Sequence, residues 1–272
     1  MAQHLSERLG QSVVVETRAG AGGSIATDHV VKQPGDGYTW GLLVSGHATQ
    51  AVMMKKLPYD PVGDLAMVST ITTYPMMIAT RADAPYKTLG DVIAKAKAEP
   101  GKVSYSSAGI GTGHHLLGEW INAEGRVDMV HVPFKGGTSV LTDVMSGRID
   151  IMIETMTLAL SHVKSGKMRA LAVTSPRPLD YLPGVPLATD TLPGVIYESW
   201  LGIFTSPGTP PAVIQRINTE MRAVLQKPEV VQRLADLGGS AMPSSPAELR
   251  ARVVSDIDKW KRIVDSRNIE RQ

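Results

Sequence analysis

The sequence predicts an α/β protein of two lobes with a ligand-binding cleft between the lobes. Apolar or β-branched runs alternate with amphipathic helical segments throughout the 272-residue chain, as expected for strands that are each followed by a helix in mainly parallel sheets. Two strand–glycine–helix units occur, one before residue 50 and one after residue 103. A chain of this length suits two lobes of ordinary size better than one sheet of about ten strands.

The first 102 residues supply seven of these elements. A helix over Met1–Leu9 ends at Gly10, a residue suited to the left-handed turn that follows a helix. The run SVVVE predicts a buried strand over Ser12–Glu16. Further elements are a helix through Val31, strands over 38–44, 65–72 and 76–81, and a helix over 89–98 that Pro100-Gly101 stops.

The rest of the chain, from residue 103, continues the alternation of strands and helices. Strands are predicted over 103–106, 129–133, 149–153, 168–174 and 200–205, and helices over 114–124, 138–146, 158–165, 210–226, 229–237 and 247–264. Pro176–Pro193 is rich in proline and predicts a surface loop.

Composition excludes several classes of function. The net charge is only +2 and no block of Lys and Arg occurs, which argues against nucleic acid as a partner. The chain has no cysteine, so disulfides, thiolate metal sites and a cysteine nucleophile are excluded. No apolar run approaches the roughly 20 residues that span a bilayer. Residues 1–11 predict an amphipathic helix rather than a signal peptide.

The turn Ser107–Gly113 is the strongest candidate site. It joins a strand to a helix, and its three glycines let a ligand approach the backbone closely. The first N–H groups of a helix lack partners within it and lie at the positive end of its dipole. A carboxylate or a phosphate therefore fits there. The competing interpretation, of equal weight, is an ordinary connection in which Thr112 caps the helix.

Other candidate residues follow strands or lie beside this turn. Ser45-Gly46-His47 and Glu154-Thr155 each end a strand, where open α/β sheets bind ligands. Of the adjacent His114 and His115, one is expected to face the turn and the other solvent. His115 is a candidate hydrogen-bonding partner of a ligand carboxylate, and Arg81 and Lys135 are weaker candidates for its counter-charge.

Catalytic, metal and cofactor sites are not expected. Ser107 with either adjacent histidine resembles a nucleophile and base, but the G-x-S-x-G elbow is absent. Adjacent histidines do not converge on a metal, which requires a spacing of four on a helix. The loop RAGAGGS lacks the third glycine and the later acidic residue of a dinucleotide site.

The sequence resembles the substrate-binding proteins of tripartite tricarboxylate transporters, the Bug family, over almost its whole length. LGQSVVVETRAGAGGSIA resembles the family stretch LGQ-x-VVVENRPGAGG. The blocks PGDGYTW, LPYDPVGDL, AKAEPGKVSYSSAGIGTGHHL, HVPFKGG, SGRIDIM, GKMRALAVTSPRP, LPGVPLATDTLPG and WLGIFTSPGTP follow in the family's order.

The resemblance implies a periplasmic, monomeric binding protein of the Venus-flytrap type. It closes on a small carboxylate and delivers it to the membrane permease subunits. The implied lobes are 1–100 with 197–272, and 101–196, hinged near residues 100–103 and 195–200. The family's carboxylate-holding residues carry over to Ser107, Ala108, Gly109, Gly111, Thr112 and His115, while Ser45-Gly46-His47 and Glu154-Thr155 lie where the family varies its specificity.

The chain departs from the family pattern in three places. Thr17-Arg18-Ala19 stands for Asn-Arg-Pro, and Phe134 for the usual Tyr. The family's signal peptide, first strand and Gly-Gly loop have no counterpart in these 272 residues. Because neighbours of a buried strand lose backbone partners without it, weakened ligand binding or a rearranged first lobe is expected.

Two other functions remain open at this stage. A ligand sensor that docks a receptor would use the same cleft, and it differs from a transport protein in that uptake of the ligand would not depend on it. An enzyme would turn over a bound carboxylate and lose that activity on Ser107→Ala. The identity of the carboxylate is not predicted.

Overall fold

The computed structural model describes residues 1–18, 20, 23–134 and 139–272. Its helices are α1 (Ala2–Leu9), α2 (Ser24–Val31), α3 (Gly46–Met53), α4 (Leu89–Ala98), α5 (Gly113–Gly125), α6 (Ser139–Met145), α7 (Met156–Lys164), α8 (Pro211–Leu225), α9 (Pro228–Asp236) and α10 (Pro246–Ser266). Its strands are β1 (Trp40–Val44), β2 (Ala66–Arg81), β3 (Ser104–Ser107), β4 (Val130–Pro133), β5 (Ile151–Thr155), β6 (Met168–Val173), β7 (Glu198–Thr205) and β8 (Ser240–Ala241).

The chain forms two compact units. Unit 1 comprises Met1–Thr73, Trp200–Arg262 and Glu270–Gln272, and unit 2 comprises Tyr74–Ser199 and Ile263–Ile269. The lobe limits predicted at residues 100 and 197 remain predictions. The first boundary between the compact units lies earlier in the chain, between Thr73 and Tyr74. It lies there because the second half of β2 pairs with strands of unit 2.

Unit 1 is built on an antiparallel arrangement of strands. β1 runs antiparallel to β7 with Trp40 opposite Thr205, and β7 lies between β1 and β2. β8 pairs with the first half of β2, with Thr72 opposite Ala241. A core forms where Trp200 and Phe204 of β7 pack with Leu249 and other apolar residues of α10. Burial of such side chains contributes about 1.5–3 kcal/mol each.

Unit 2 contains the parallel strands. β3 runs parallel to β4 and to β5, while the second half of β2 runs antiparallel to β5 and β6. Met77 of β2, Met152 of β5 and Val144 of α6 belong to one of its hydrophobic core clusters. Because β5, β3 and β4 are parallel, their carboxyl ends meet at one edge of the sheet. The candidate residues of this unit follow those ends.

The mixed α/β character and the predicted helices are confirmed. Each predicted helix has a counterpart within a few residues, and Gly10 ends α1 at a φ of 69° as expected. α4 begins at Thr88, whose hydroxyl oxygen accepts the N–H of Asp91, a capping box that stabilises the helix start. Thr138, the predicted first residue of α6, lies outside the described residues, as do Ala19 and part of the glycine loop that follows it.

The predicted strand over Ser12–Glu16 is wrong. These residues adopt no strand, and the side chains of Val14 and Val15 are 84% and 77% exposed. β-Branched residues favour strands only where a neighbouring strand supplies backbone partners and a packing surface. Here the N–H of Val13 instead donates to the hydroxyl oxygen of Ser6, 2.8 Å away.

Two other expectations about the strands are also wrong. The strands predicted over 65–72 and 76–81 form one strand, β2. Pro75 lies between the residues that pair with β8, ending at Thr73, and those that pair with β5, starting at Met76. Its missing N–H therefore breaks no bond to either strand. The sheets are not mainly parallel either, since β3–β4 and β3–β5 are parallel whereas β1–β7, β2–β5, β2–β6 and β2–β8 are antiparallel.

In the part of the chain that the structure describes, none of the helices is both long enough and apolar enough to cross a bilayer.

Candidate functional site

The turn after β3 positions the start of α5 at the edge where the parallel strands end. Gly109 and Gly111 have φ values of 122° and 75°, which only glycine adopts readily. Gly113, the first residue of α5, packs against Tyr197, and a Cβ at this position would lie 2.7 Å from the tyrosine hydroxyl oxygen. The glycines are therefore required both to form the turn and to seat the helix.

Thr112 caps α5, as one of the two interpretations of the turn predicted. Its hydroxyl oxygen accepts the N–H of His115 and its hydroxyl donates to the carbonyl oxygen of Gly109 at 2.7 Å. The N–H groups of Gly113 and His114 donate to no described residue. Capping by Thr112 thus leaves two donors unused at the positive end of the helix. An acceptor from outside the chain can form hydrogen bonds with these two N–H groups.

Ser107 and His131 form a pair at the ends of β3 and β4. The hydroxyl oxygen of Ser107 lies 2.6 Å from Nε2 of His131, and it also accepts the N–H of Gly109. The ring of His131 lies between the rings of Tyr105 and His115, with centroid separations of 5.1 and 4.0 Å. Nδ1 of His115 accepts the N–H of Gly111. The stacked rings of Tyr105, His131 and His115 thereby hold the turn in place.

Both stacked histidines are neutral at pH 7. Burial, and secondarily the neighbouring His115, lower the pKa of His131 to about 4, while Glu119 acts in the opposite direction. Burial also lowers the pKa of His115, again opposed by Glu119. A neutral imidazole whose Nδ1 accepts a hydrogen bond carries its one N–H proton on Nε2. The rings therefore order the turn without adding positive charge.

Glu154, Thr155 and His114 form a second polar group beside the helix start. Oε1 of Glu154 accepts from Nε2 of His114 at 3.0 Å, from the N–H of Thr155 at 2.7 Å and from its hydroxyl at 3.2 Å. Burial alone raises the pKa of Glu154, but the bond and charge of His114 and the bonds from Thr155 outweigh it. The pKa of Glu154 is therefore lowered, and the group is an anion.

The two adjacent histidines do not divide between the turn and solvent as expected. His115 is buried against the turn, whereas the side chain of His114 is largely buried against Glu154. The two rings project about 100° apart because successive residues of a helix are rotated by that angle. The buried carboxylate of Glu154 holds His114 in place, which the sequence spacing alone did not reveal.

Ser45, Gly46 and His47 lie at the end of β1 and the start of α3, as predicted. His47 is buried in unit 1, its Nε2 lies 2.7 Å from the carbonyl oxygen of Pro61, and its ring stacks on Tyr59. Burial lowers its pKa, opposed by the Pro61 bond. These contacts occupy the ring, and a ligand contact for these three residues remains a prediction.

The weaker candidates lie apart from the turn or outside the described residues. Arg81 ends β2 opposite Met168, whereas Met76 of the same strand lies opposite Thr155. Five residues of strand, roughly 17 Å, thus separate Arg81 from the edge that carries Thr155. Lys135 lies outside the described residues. Among residues 1–18, 20, 23–134 and 139–272, no group of three potential ligands can hold a metal ion.

Two residues of this site were missed by the sequence reasoning. His131 was assigned only to a strand, and Tyr197 to no element. His131 lies beside Tyr105 because β3 and β4 are parallel neighbours in this register, which the sequence does not give. No local pattern identifies Tyr197, which packs against Gly113 although the two residues are more than 80 positions apart in the chain.

Comparison with known proteins gives a consistent family. Residues 1–269 match the tripartite tricarboxylate transporter family receptor. The chain is 33% identical to BugT of Bordetella pertussis, over 97% of this chain and 82% of that protein. It is also 33% identical to a UPF0065 protein in the tcbD–tcbE intergenic region of Pseudomonas sp. strain P51, over 97% of this chain and 79% of that protein.

Solved structures show the same fold. The R. palustris protein Rpa4515 with adipate has a TM-score of 0.88 at 28% identity, covering 100% of this chain and 91% of its own. The periplasmic binding protein BugD gives 0.84 at 28% identity, covering 100% and 92%. MatC from Rhodopseudomonas palustris with bound malate gives 0.82 at 27% identity, covering 97% and 91%. The chain has the α/β fold of periplasmic binding proteins and belongs to the tripartite tricarboxylate transporter receptor family.

Proposed function

We propose that this protein binds a small carboxylate, in the periplasm and without turning it over, and delivers it to a tripartite tricarboxylate-type permease. The observation that carries the proposal is the start of α5, where the N–H groups of Gly113 and His114 donate to no described residue. Two aligned donors at the positive end of a helix form a site for an anion. The malate and adipate of the two relatives are both carboxylates.

The turn and its supports supply the remaining parts of the proposed site. The proposed carboxylate-holding residues lie in the turn and at the start of α5, and they shape the backbone around the two donors. They are Ser107, Ala108, Gly109, Gly111, Thr112 and His115. Neutral His115 and His131 keep a second positive charge out of the turn, so recognition of the carboxylate depends on hydrogen bonds and the helix dipole. Backbone donors bind a carboxylate without selecting what it is attached to, which suits a family that serves several acids.

The remaining residues of the proposed site define its specificity. Glu154 and Thr155 lie beside the turn in unit 2, and Ser45, Gly46 and His47 complete the predicted set from unit 1. We propose that the lobes close around the ligand, as the resemblance implies, and that the protein acts as a monomer.

Binding is tested by titration calorimetry of the 272-residue protein against aliphatic, hydroxylated, amino and aromatic carboxylates. Gly109→Ala places a Cβ at a φ of 122° in the turn, and should weaken binding by roughly tenfold or more because the backbone must shift. Gly166→Ala is the matched control. Gly166 also has a positive φ, at 71°, with no atom near the added Cβ, but it lies in the loop between α7 and β6.

The outcomes separate the candidate functions. Equal loss of affinity in both variants, or no carboxylate binding in the parent protein, would contradict the proposal. Uptake of the identified ligand by cells should stop when this protein is deleted, whereas continued uptake would favour a sensor. Mass spectrometry of the bound acid after prolonged incubation should return it unchanged, since no turnover is expected.

A further inference from the structure

We infer that Glu154 selects, among carboxylates, those that carry a second group able to donate hydrogen bonds, an ammonium in preference to a hydroxyl. This inference rests on the proposed function, because it places the ligand's carboxylate at the start of α5. It adds the chemical nature of the ligand's other end and names the residue that reads it.

The two oxygens of Glu154 are used unequally. Oε1 accepts three hydrogen bonds, from Nε2 of His114 and from the N–H and hydroxyl of Thr155. Oε2 accepts none from the described residues, although Glu154 is only 8% exposed. A carboxylate oxygen without a donor is costly once water is removed from it. A ligand that displaces water from Oε2 must therefore bring a donor of its own.

Other carboxylates of unit 2 show what a purely structural acid looks like. Asp150 accepts at Oδ2 from the N–H and hydroxyl of Ser104 and at Oδ1 from the hydroxyl of Tyr86. Glu119 accepts at Oε1 from the hydroxyl of Tyr105 and at Oε2 from Nε of Arg267. Each of these two acids has both oxygens bonded. Glu154 differs because the structure satisfies one oxygen and leaves the other open.

The position of Glu154 relative to the helix start makes this open oxygen relevant to the ligand. His114 is the second residue of α5 and its backbone N–H is one of the two unused donors, while its side chain reaches Glu154 at 3.0 Å. The unused N–H groups at the helix start (the donor pole) and Glu154 (the acceptor pole) thus both adjoin His114. Nδ1 of the same ring is buried and has no partner among the described residues.

The charge of Glu154 sets the order of preference. An ammonium forms a charge-assisted hydrogen bond with a carboxylate, roughly twice as strong as a neutral one. A hydroxyl forms the neutral bond and a methyl group forms none. A second ligand carboxylate would bring two like charges together in a site with little water, which is unfavourable. The expected order of affinity is therefore ammonium, hydroxyl, methyl and carboxylate.

The test uses acids that share one carboxylate and differ at the far end. The four-carbon series is 4-aminobutyrate, 4-hydroxybutyrate, butyrate and succinate. The six-carbon series is 6-aminohexanoate, 6-hydroxyhexanoate, hexanoate and adipate, which covers a longer separation of the two poles. Dissociation constants are measured by calorimetry for the parent protein, for Glu154→Gln and for Glu99→Gln. Glu99 is an exposed residue of unit 2 paired with Lys95, so its replacement removes the same charge away from the site.

In the parent protein, the amino acid of at least one series should bind roughly tenfold or more tightly than the methyl-ended acid. The dicarboxylate should bind most weakly. Glu154→Gln should reduce the advantage of the ammonium to within about threefold and strengthen dicarboxylate binding, because the repelling charge is gone. Glu99→Gln should retain the parent order.

Three results would overturn the inference while leaving the proposed function intact. One is a dicarboxylate that binds the parent protein as tightly as the amino acid of the same length. Another is an ammonium preference that survives Glu154→Gln, and the third is the same loss of preference in Glu99→Gln. Absence of binding by every acid would instead contradict the proposed function itself. If Glu154→Gln fails to fold, the parent series and Glu154→Asp, which withdraws the carboxylate by one methylene, decide the question.

Discussion

The connections β3–α5 in unit 2 and β1–α3 in unit 1 have the same local plan and different consequences. Each joins a strand to a helix whose first residue is glycine, Gly113 in α5 and Gly46 in α3. In the first, five residues separate strand and helix, and the histidines after the glycine frame a polar edge. In the second, one residue separates them, and His47 turns into the apolar interior against Tyr59.

The comparison shows that a polar residue at a strand end is not sufficient to identify a site. The longer turn after β3 keeps backbone donors free, because Thr112 caps only part of the helix start. The shorter turn after β1 directs its histidine to a carbonyl oxygen of its own unit. The four changes below test this difference, from the largest expected effect to the smallest.

Replacing His47 with alanine should lower the free energy of unfolding by about 3 kcal/mol, because it removes a buried ring, its stacking on Tyr59 and its bond to Pro61. His114→Ala should cost roughly 1 kcal/mol or less, since Oε1 of Glu154 keeps its two hydrogen bonds from Thr155. Urea denaturation measures both. Equal losses would mean that the two histidines play the same structural role.

Gly113→Ala should destabilise the protein by about 2 kcal/mol, because the new Cβ would lie 2.7 Å from the hydroxyl oxygen of Tyr197. Gly46→Ala serves as the matched change at the first residue of the other helix. Its Cβ would lie 3.7 Å from Val44, an ordinary contact, so the effect should stay within about 0.5 kcal/mol. Thermal unfolding should therefore separate the two variants, and coincident curves would show that the α5 start is not tightly seated.

Acidification should destabilise unit 2 through His131. The unfolded chain binds a proton at this histidine near pH 6.5, whereas the folded protein does so only near its pKa of about 4. Between these values the unfolded state holds the extra proton, so stability falls as the pH falls through that window. The full pKa difference corresponds to about 3 kcal/mol, and the partial solvent exposure of His131 reduces the effect to about 1–2 kcal/mol. The lowered pKa of His115 acts in the same direction.

The matched variant for this pH effect is His131→Gln, which keeps a polar side chain beside Ser107 and removes the titrating group. Urea midpoints of the parent and the variant between pH 7 and pH 4 give the comparison. The parent should lose more stability than the variant over this range. Parallel profiles would show that His131 binds its proton equally well in both states.

Thr112→Ala should cost about 1 kcal/mol, the usual value of a lost N-cap. Thr112→Ser retains the hydroxyl that caps α5 and should restore most of this stability. Differential scanning calorimetry measures the change in melting temperature of both variants. A serine variant as unstable as the alanine variant would show that the methyl group of Thr112, and not its capping oxygen, holds the turn.

The turn between β3 and α5 could be predicted from the sequence, because glycines, hydroxyls and an apolar helix face are local signals. It also placed Glu154 and Thr155 at a strand end. It did not predict that Glu154 would hold His114, since this contact joins residues 40 positions apart. The stack of Tyr105, His131 and His115 was missed for the same reason: it depends on which strands are neighbours.

Where the sequence was misleading, pairing decided the outcome. SVVVE has the composition of a buried strand, yet Val14 and Val15 remain exposed because composition does not supply a neighbour. Two strands were predicted over 65–72 and 76–81, yet β2 runs through both because Pro75 falls between two ladders. Local pattern therefore identified the elements well, while their pairing and the contacts between them required the three-dimensional structure.

The central claim is that a carboxylate binds at the start of α5, and the most direct measurement is amide NMR of the protein during titration with the tightest-binding acid. The N–H resonances of Gly113 and His114 should move downfield and saturate with the dissociation constant found by calorimetry, since a carboxylate accepts their protons. Gly166, in a loop of the same unit, should not move. Binding detected by calorimetry without any shift of Gly113 and His114 would contradict the account and place the carboxylate elsewhere.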